Sequence, residues 1–352
     1  MNIKITGSGS YIPNRIVANA DFANHKFLDE AGTLLSQPNN VIAEKFRQIT
    51  GIDERRYVED DLVTSDIAFF AAQKAIEDAK IDPETIDYII FAHNFGDVKQ
   101  GAIQTDILPS LASRVKHSLR IKNAKCVAYD ILFGCPGWVE GIIQAQAYIK
   151  SGMAKRCLVI GAETLSRVVD PHDRDSMIYS DGAGASIIEG TDDEGGILAH
   201  ETASYTYDEA YFLFFGNSYN TDHDKDVRYI KMYGRKIYEF ALSRVPQAMK
   251  ECLEKSGVAI DDVKKILIHQ ANEKMDEAIV NRFYKLHDRA TPERVMPMSI
   301  HKLGNSSVAT IPTLYDYMVK GILPEQELNK GDVVIFASVG AGMNINAIVY
   351  KI

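Results

Sequence analysis

Short apolar runs alternate with amphipathic stretches along the chain. Ile3 to Ile5, Tyr88 to Ala92, Cys157 to Ile160, Ile266 to His269 and Val333 to Ala337 have the length and composition of strands buried on both faces. After Thr64, the residues Ile67, Phe70, Ala71 and Ala75 share one face at helical spacing. Val139, Ile142, Ile143 and Ile149 do the same and predict a helix over 137–150. Strands alternating with helices in this way indicate an α/β protein. The stretch TASYTYDEAYFLFFGNSYNTDHDKD (202–226) is aromatic, polar and poorly periodic, so it reads as a long loop region of the kind that builds binding elements.

The same pattern occurs twice. AIEDAKIDPETIDYIIFAHN (75–94) realigns without gaps onto CLEKSGVAIDDVKKILIHQA (252–271), with Ile76 over Leu253, Ile81 over Val258 and Ile86 over Val263. YDILFGCPGWV (129–139) then matches SIHKLGNSSVA (299–309), setting Gly134-Cys135 over Gly304-Asn305. CLVIGA (157–162) follows beside VVIFAS (333–338). Three pairs in one order indicate duplication of an α/β half, with a unit far longer than a solenoid repeat. The halves meet near residue 190, giving 1–190 and 191–352.

Composition narrows the function classes. Hydrophobic residues at 46% and charged residues at 25% exclude a disordered chain. A net charge of −9 disfavours a nucleic-acid partner, and an acidic protein would need a local basic patch to dock. No apolar run approaches the roughly 18 residues of a membrane span, and the opening MNIKITGSGSYIP lacks the apolar core of a signal peptide. Cys126, Cys135, Cys157 and Cys252 have no metal-ligand spacing. Reduced thiols in a cytoplasm are the simplest reading.

Cys135 is the first candidate for chemistry. It lies in Leu132-Phe133-Gly134-Cys135-Pro136-Gly137, just before the 137–150 helix. Proline favours the first helical position, which places Cys135 at the N-cap. There the helix dipole favours thiolate, and the residue's own N–H is free to face an oxyanion. A buried structural cysteine is the alternative. His269 ends an apolar run, at the end of a strand where α/β proteins place reactive groups. A hydrogen-bonded structural histidine is its plain alternative. Asn305 reads as a turn or cap residue by itself, yet the repeat sets it over Cys135. Two symmetry-related loops would then bring Cys and Asn to one central site. SVGAGMN (338–344) has the glycines for a backbone N–H to approach Cys135, or for an ordinary turn. SDGAGASIIE (180–189) lacks the GxGxxG arrangement and reads as a closely packed turn.

These residues resemble the β-ketoacyl-acyl-carrier-protein synthase III family over nearly the whole chain. The resemblance lies in TGSGSYIPNRIVAN, TGIDERR (50–56), CPGW around Cys135, the stretch from AKRCLVIGAETLSR through DPHDR to YSDGAGAS, IHQAN (268–272) and GNSSVATIP (304–312). It implies a thiolase-like fold, with two duplicated halves stacked as αβαβα layers. It also implies a Cys135–His269–Asn305 triad, an oxyanion hole from the N–H groups of Cys135 and Gly340, and a homodimer. The implied chemistry moves an acyl group from an acyl-CoA or acyl-carrier donor onto Cys135. A malonyl thioester, carried by acyl carrier protein, then loses CO₂, and its enolate attacks the acyl-enzyme. His269 and Asn305 would donate to the enolate oxygen, with no metal or redox cofactor. Lys274, Arg282 and Lys285 resemble the family's basic patch for carrier docking, and ordinary solvated charge is the alternative.

Some positions depart from the family pattern. Where the family carries a Trp and an Arg before TGI to hold a CoA adenine, this chain has Lys45 and Ile49. Arg167 matches the opposite side of that adenine site. HNFGDVKQGAIQTDILPS (93–110) is longer than the family's acyl-tunnel segment, so acyl specificity does not carry over. Thiolase would need a second cysteine in the C-terminal glycine motif, where Met343 stands. A hydroxymethylglutaryl-CoA-synthase-like enzyme would need a Glu some thirty residues before Cys135, and none lies between Glu84 and Glu140. A polyketide-type synthase, a non-elongating acyltransferase and a non-catalytic scaffold subunit remain as alternatives. Retention of all three triad residues argues against the last.

Overall fold

A computed structural model describes residues 1–222 and 225–352. Its strands are β1 (Asn2–Tyr11), β2 (Arg15–Ala18), β3 (Glu54–Tyr57), β4 (Tyr88–Ala92), β5 (Val127–Ile131), β6 (Arg156–Thr164) and β7 (Asp181–Thr191). They continue with β8 (Gly196–Ser204), β9 (Leu213–Gly216), β10 (Tyr229–Met232), β11 (Val263–Ile268), β12 (Val333–Gly340) and β13 (Asn344–Lys351). The helices are α1 (Asn39–Thr50), α2 (Thr64–Ala79), α3 (Leu111–Ser118) and α4 (Gly137–Lys150), then α5 (Gly234–Ser256), α6 (Glu273–Lys285), α7 (Ile300–Leu303) and α8 (Thr310–Val319).

Two sheets carry the duplication. The first runs β1-β7-β6-β4-β5, with β6, β4 and β5 parallel and β7 and β1 antiparallel. The second runs β8-β13-β12-β11, with β12 and β11 parallel and the other two antiparallel. Each strand of the second sheet has its counterpart in the first, and β4 and β11 are the strands that the sequence repeat superposes. Among the described residues β5 alone has no counterpart strand there. At that edge Val295 O accepts from Ile266 N at 2.7 Å, so an irregular segment takes the fifth position.

Burial explains the layering. Ile67, Ala71 and Ala75 of α2 pack with Ile89 and Phe91 on the outer face of the first sheet. Val245, Met249 and Leu253 of α5 join Ile279 and Phe283 of α6 on the outer face of the second. Between the sheets, Trp138, Ile142 and Ile149 of α4 meet Ile311 and Leu314 of α8 and strand residues of both halves. Helix, sheet, helix, sheet and helix therefore stack as five layers. The N-termini of α4 and α8, buried at the centre, come from the two segments in register with each other.

Two sequence expectations need correction. SDGAGASIIE is strand rather than turn. Its glycines leave room for the start of α8, where a Cβ on Gly184 would stand 2.6 Å from Pro312 Cβ. The 202–226 stretch is not one loop: 202–204 finish β8, and Leu213–Gly216 form β9, which pairs with β10. The alternating apolar pattern of a strand is hidden there by aromatics on both faces, Phe214 and Phe215 in turn. Residues 223 and 224 of that stretch lie outside the described residues.

Candidate active site

Cys135 follows the C-terminal end of β5 and precedes α4. Gly137 N donates to Gly134 O at 3.0 Å, which closes the turn carrying the cysteine. Pro136, not Cys135, occupies the cap position, with φ −68° and ψ −5° already helical. The sulfur thus stands one residue further from the helix than the sequence suggests. The end of β12 presses on this turn from the other half. A Cβ on Gly340 would lie 2.4 Å from Cys135 N, and one on Gly134, at φ +65°, would lie 2.6 Å from Ala341 N. Only glycine at these positions lets the two backbones meet, and it sets the 340–341 backbone against the N–H of Cys135.

Asn305 follows α7. Its N–H donates to Ile178 O at 3.0 Å and its carbonyl accepts from Ser180 N at 2.8 Å, which stitches it to the lead-in of β7. Its Oδ1 accepts from Ser307 N at 2.8 Å, leaving Nδ2 as the donor it has to offer. Ser307, at φ +53°, turns its hydroxyl to Cys135 and donates to Sγ at 3.3 Å. Cys135 and Asn305 are therefore joined through one serine.

His269 lies just past β11, and its N–H donates to Ala337 O of β12 at 2.8 Å. The next residue, Gln270, is wholly buried and accepts from Ser299 N at 2.9 Å and Ile300 N at 3.0 Å. That amide locks the end of β11 to the start of α7, and so fixes His269 relative to the Asn305 loop. Burial holds the imidazole down to about 4, so it is neutral near pH 7. Its Nδ1 is buried without a partner among the described residues.

The electrostatics of the thiol differ from expectation. Burial pushes Cys135 up to about 11, with the Glu163 carboxylate adding to the rise, while the Ser307 hydroxyl and the residue's own N–H pull it down. A helix N-terminus typically contributes about 0.3–1 kcal/mol, less than one pKa unit of about 1.4 kcal/mol. Desolvation therefore outweighs the dipole in the ligand-free pocket.

Cys135 opens into a cavity of about 270 Å³ walled by Leu165, Tyr179, Leu213, Phe214 and Ile230. A larger cavity of about 860 Å³ adjoins it, lined from the 93–110 segment by Val98, Ile103 and Ile107. Phe95 and Phe215 border both, stacked with ring centroids 5.0 Å apart. Arg167 faces the larger cavity, but its side chain is only 2% exposed. Its guanidinium donates to Glu59 O at 2.9 Å. Lys45 and Ile49 lie on α1. Lys274, Arg282 and Lys285 are exposed on α6, apart from the cysteine pocket, and none forms an ion pair among the described residues.

Three residues at the site escape a motif reading: Ser307, Asn94 and Glu163. Ser307 lies inside GNSSVATIP without a distinguishing signal. Glu163 does leave one, as the sole charge in the apolar run CLVIGAETL.

Two models of one family match the chain: 3-oxoacyl-[acyl-carrier-protein] synthase III over residues 129–206, and the C-terminal part of the same synthase over 253–352. The chain is 32% identical over 352 residues to the β-ketoacyl-[acyl-carrier-protein] synthase III of Staphylococcus aureus (strain Newman), covering 100% of this chain and 99% of that protein. Among solved structures it is similar to the 3-oxoacyl-[acyl-carrier-protein] synthase III of Aquifex aeolicus VF5. That match has TM-score 0.80 and 29% identity, over 99% of this chain and 100% of that one. The corresponding Thermus thermophilus enzyme gives TM-score 0.81 and 28% identity, over 99% of both chains.

Proposed function

Because the chain belongs to the 3-oxoacyl-[acyl-carrier-protein] synthase III family, we propose that it takes an acyl group from an acyl-CoA or acyl-carrier thioester onto Cys135. It then condenses that group with malonyl-acyl-carrier protein. The observation that carries this reading is the Ser307 hydroxyl on Cys135 Sγ, in the wall of an apolar cavity and one turn from Asn305.

In the first step the thiolate attacks the thioester carbonyl, and the Cys135 and Gly340 N–H groups hold the oxyanion. The proton leaves with the departing thiol, so thioester exchanges for thioester. In the second step the malonyl carboxylate departs as CO₂. Neutral His269 and the Asn305 amide donate to the enolate oxygen that develops, which rewards the transition state over the ground state. The enolate carbon then attacks the acyl-enzyme and releases the cysteine. Thioester substrates suffice for this chemistry, as in the family, with no other cofactor. The acyl chain lies along the Leu213–Phe215 wall toward the larger cavity.

Lys274, Arg282 and Lys285 dock the acidic carrier, and the active form is a homodimer in the cytoplasm. Among the described residues no helix is long and apolar enough to cross a membrane.

Intact-protein mass spectrometry after incubation with a panel of acyl-CoA and acyl-carrier donors tests the central claim. One acyl adduct is expected, lost in Cys135→Ala and kept when Cys126, Cys157 or Cys252 is replaced. An adduct that survives in Cys135→Ala would sink the assignment.

A further inference from the structure

A chain of polar side chains runs from the sulfur into the first sheet. Ser307 Oγ donates to Cys135 Sγ at 3.3 Å, and Asn94 Nδ2 donates to Ser307 Oγ at 3.2 Å. The same amide donates to Glu163 Oε1. Glu163 lies near the end of β6, opposite Gly182 of β7, and is 0% exposed. Its Oε2 has no hydrogen-bond partner among the described residues. Among the described residues no cation acts on it. A buried carboxyl without a cation keeps its proton, because desolvation penalises the charged form.

The elements around Glu163 add little charge. From the loop after β4, Asn94 donates through both side chain and backbone and favours the carboxylate. From β7, Asp181 disfavours it. The next residue of β6, Thr164, is hydrogen-bonded to Thr64 of α2, which is uncharged. The loop entering α4 brings Cys135, and the 307–309 turn brings Ser307. His93, next to Asn94, is held by Asp130 and by Gly96 N. Burial dominates and pushes Glu163 up to about 8.

We infer that Glu163, as a neutral carboxylic acid, is a positioning residue for Cys135. Through Asn94 it fixes the Ser307 hydroxyl on the sulfur, and loss of its proton sets a charge behind that chain that opposes the thiolate. The sign follows from the contacts. The acid form leaves Ser307 as an undisturbed donor to sulfur. The carboxylate form makes the thiolate a second negative charge in one low-dielectric pocket. Alkaline conditions, which ordinarily release a thiolate, therefore also raise an opposing charge here. The inference rests on the reading of Cys135 as nucleophile.

The rate of Cys135 alkylation by iodoacetamide, followed by mass spectrometry on the full chain from roughly pH 6 to 10, tests it. In the native protein the rate should climb, flatten where Glu163 ionises near pH 8, and climb again. Glu163→Gln is uncharged at every pH and still accepts from Asn94. It should climb without the flattening and react about tenfold faster than the native chain above the bend. Asn94→Ala frees the Ser307 hydroxyl and should slow alkylation severalfold at every pH. Coincident native and Glu163→Gln profiles would overturn the inference. So would a native profile with a single ionisation, or Asn94→Ala rates equal to native, and neither of these depends on the Gln variant folding. Alkylation needs no acyl donor. A protein that fails to acylate still reports this coupling, and one that acylates without the bend keeps its proposed function but loses this device.

Discussion

At the scale of single residues, acidity does not separate the proposed nucleophile, Cys135, from the other thiols. Burial raises Cys135 and Cys126 to about 11, and Cys157 and Cys252 to about 12. Access separates them: Cys135 opens into a cavity, and the other three sit inside the packed core. The acid–base state of the donors is clearer. His269, neutral above about pH 4, and the Asn305 amide can donate a hydrogen bond without bringing a charge. That suits an enolate oxygen and contributes little to forming a thiolate. Asn305→Ala should therefore still accumulate acyl-enzyme, while CO₂ release from the malonyl donor falls by about 10²–10³, or about 3–4 kcal/mol. His269→Ala should behave alike. Single-turnover acylation beside labelled CO₂ release checks this, and equal losses in both steps would mean that the donors serve acylation. Cys135, His269 and Asn305 could be singled out as candidates because each lies at an element boundary inside a repeated segment. Glu163 was legible only as a charge out of place in an apolar strand. Its partners Asn94 and Ser307 are ordinary polar residues whose roles exist only once two halves of the chain meet.

Elements show where a periodic reading succeeds. α2 and α4 follow their apolar stripes, since helices packed on a sheet must bury one face. Reading β7 as a turn failed because its glycines serve helix packing rather than chain reversal. The same two-sided logic bears on α6. Its inner residues Ile279, Val280 and Phe283 are buried, while Lys274, Arg282 and Lys285 stand exposed beyond them without ion pairs among the described residues. Three cations without ion pairs among the described residues, in a chain of net charge −9, offer complementary charge to an acidic carrier. Reversing all three charges should raise KM for malonyl-acyl-carrier protein about tenfold and flatten its salt response, since rim charges act mainly on encounter. KM for a small malonyl thioester should stay within about twofold. Carrier kinetics that do not move would return the patch to ordinary surface.

At the scale of the whole molecule, duplication was readable, because three aligned segments survive in the sequence: two become matched strands, and the third, where β5 lies over α7, still leads into the central helices α4 and α8. The inequality of the two sheet edges was not readable, since it depends on which backbone covers which. The second sheet ends on β11, partly covered at Val295. The first ends on β5, whose outer side pairs with no strand of the described chain. Val127 on that strand is 46% exposed, and Leu132 just after it is 67% exposed. Ile103, Ile107 and Leu108 of the 93–110 segment are exposed as well. Leu132, Ile103 and Ile107 line one cavity, so the strand and the segment form a single apolar rim. An open strand edge beside an apolar patch invites pairing with another chain unless something covers it. A second copy laying its own β5 there would satisfy both backbones and close the cavity mouth, in keeping with the homodimer proposed above. Light scattering at micromolar concentration should therefore give twice the 39.2 kDa chain mass. The pair Leu108→Glu and Leu132→Glu should shift the protein toward one chain, because two carboxylates from each copy would be desolvated around the twofold axis. The same variant should lose more activity with long acyl donors than with short ones, since only long chains would reach the cavity that a second copy would cover. A native mass of one chain at that concentration would remove the dimer, and with it the reason for leaving this rim apolar.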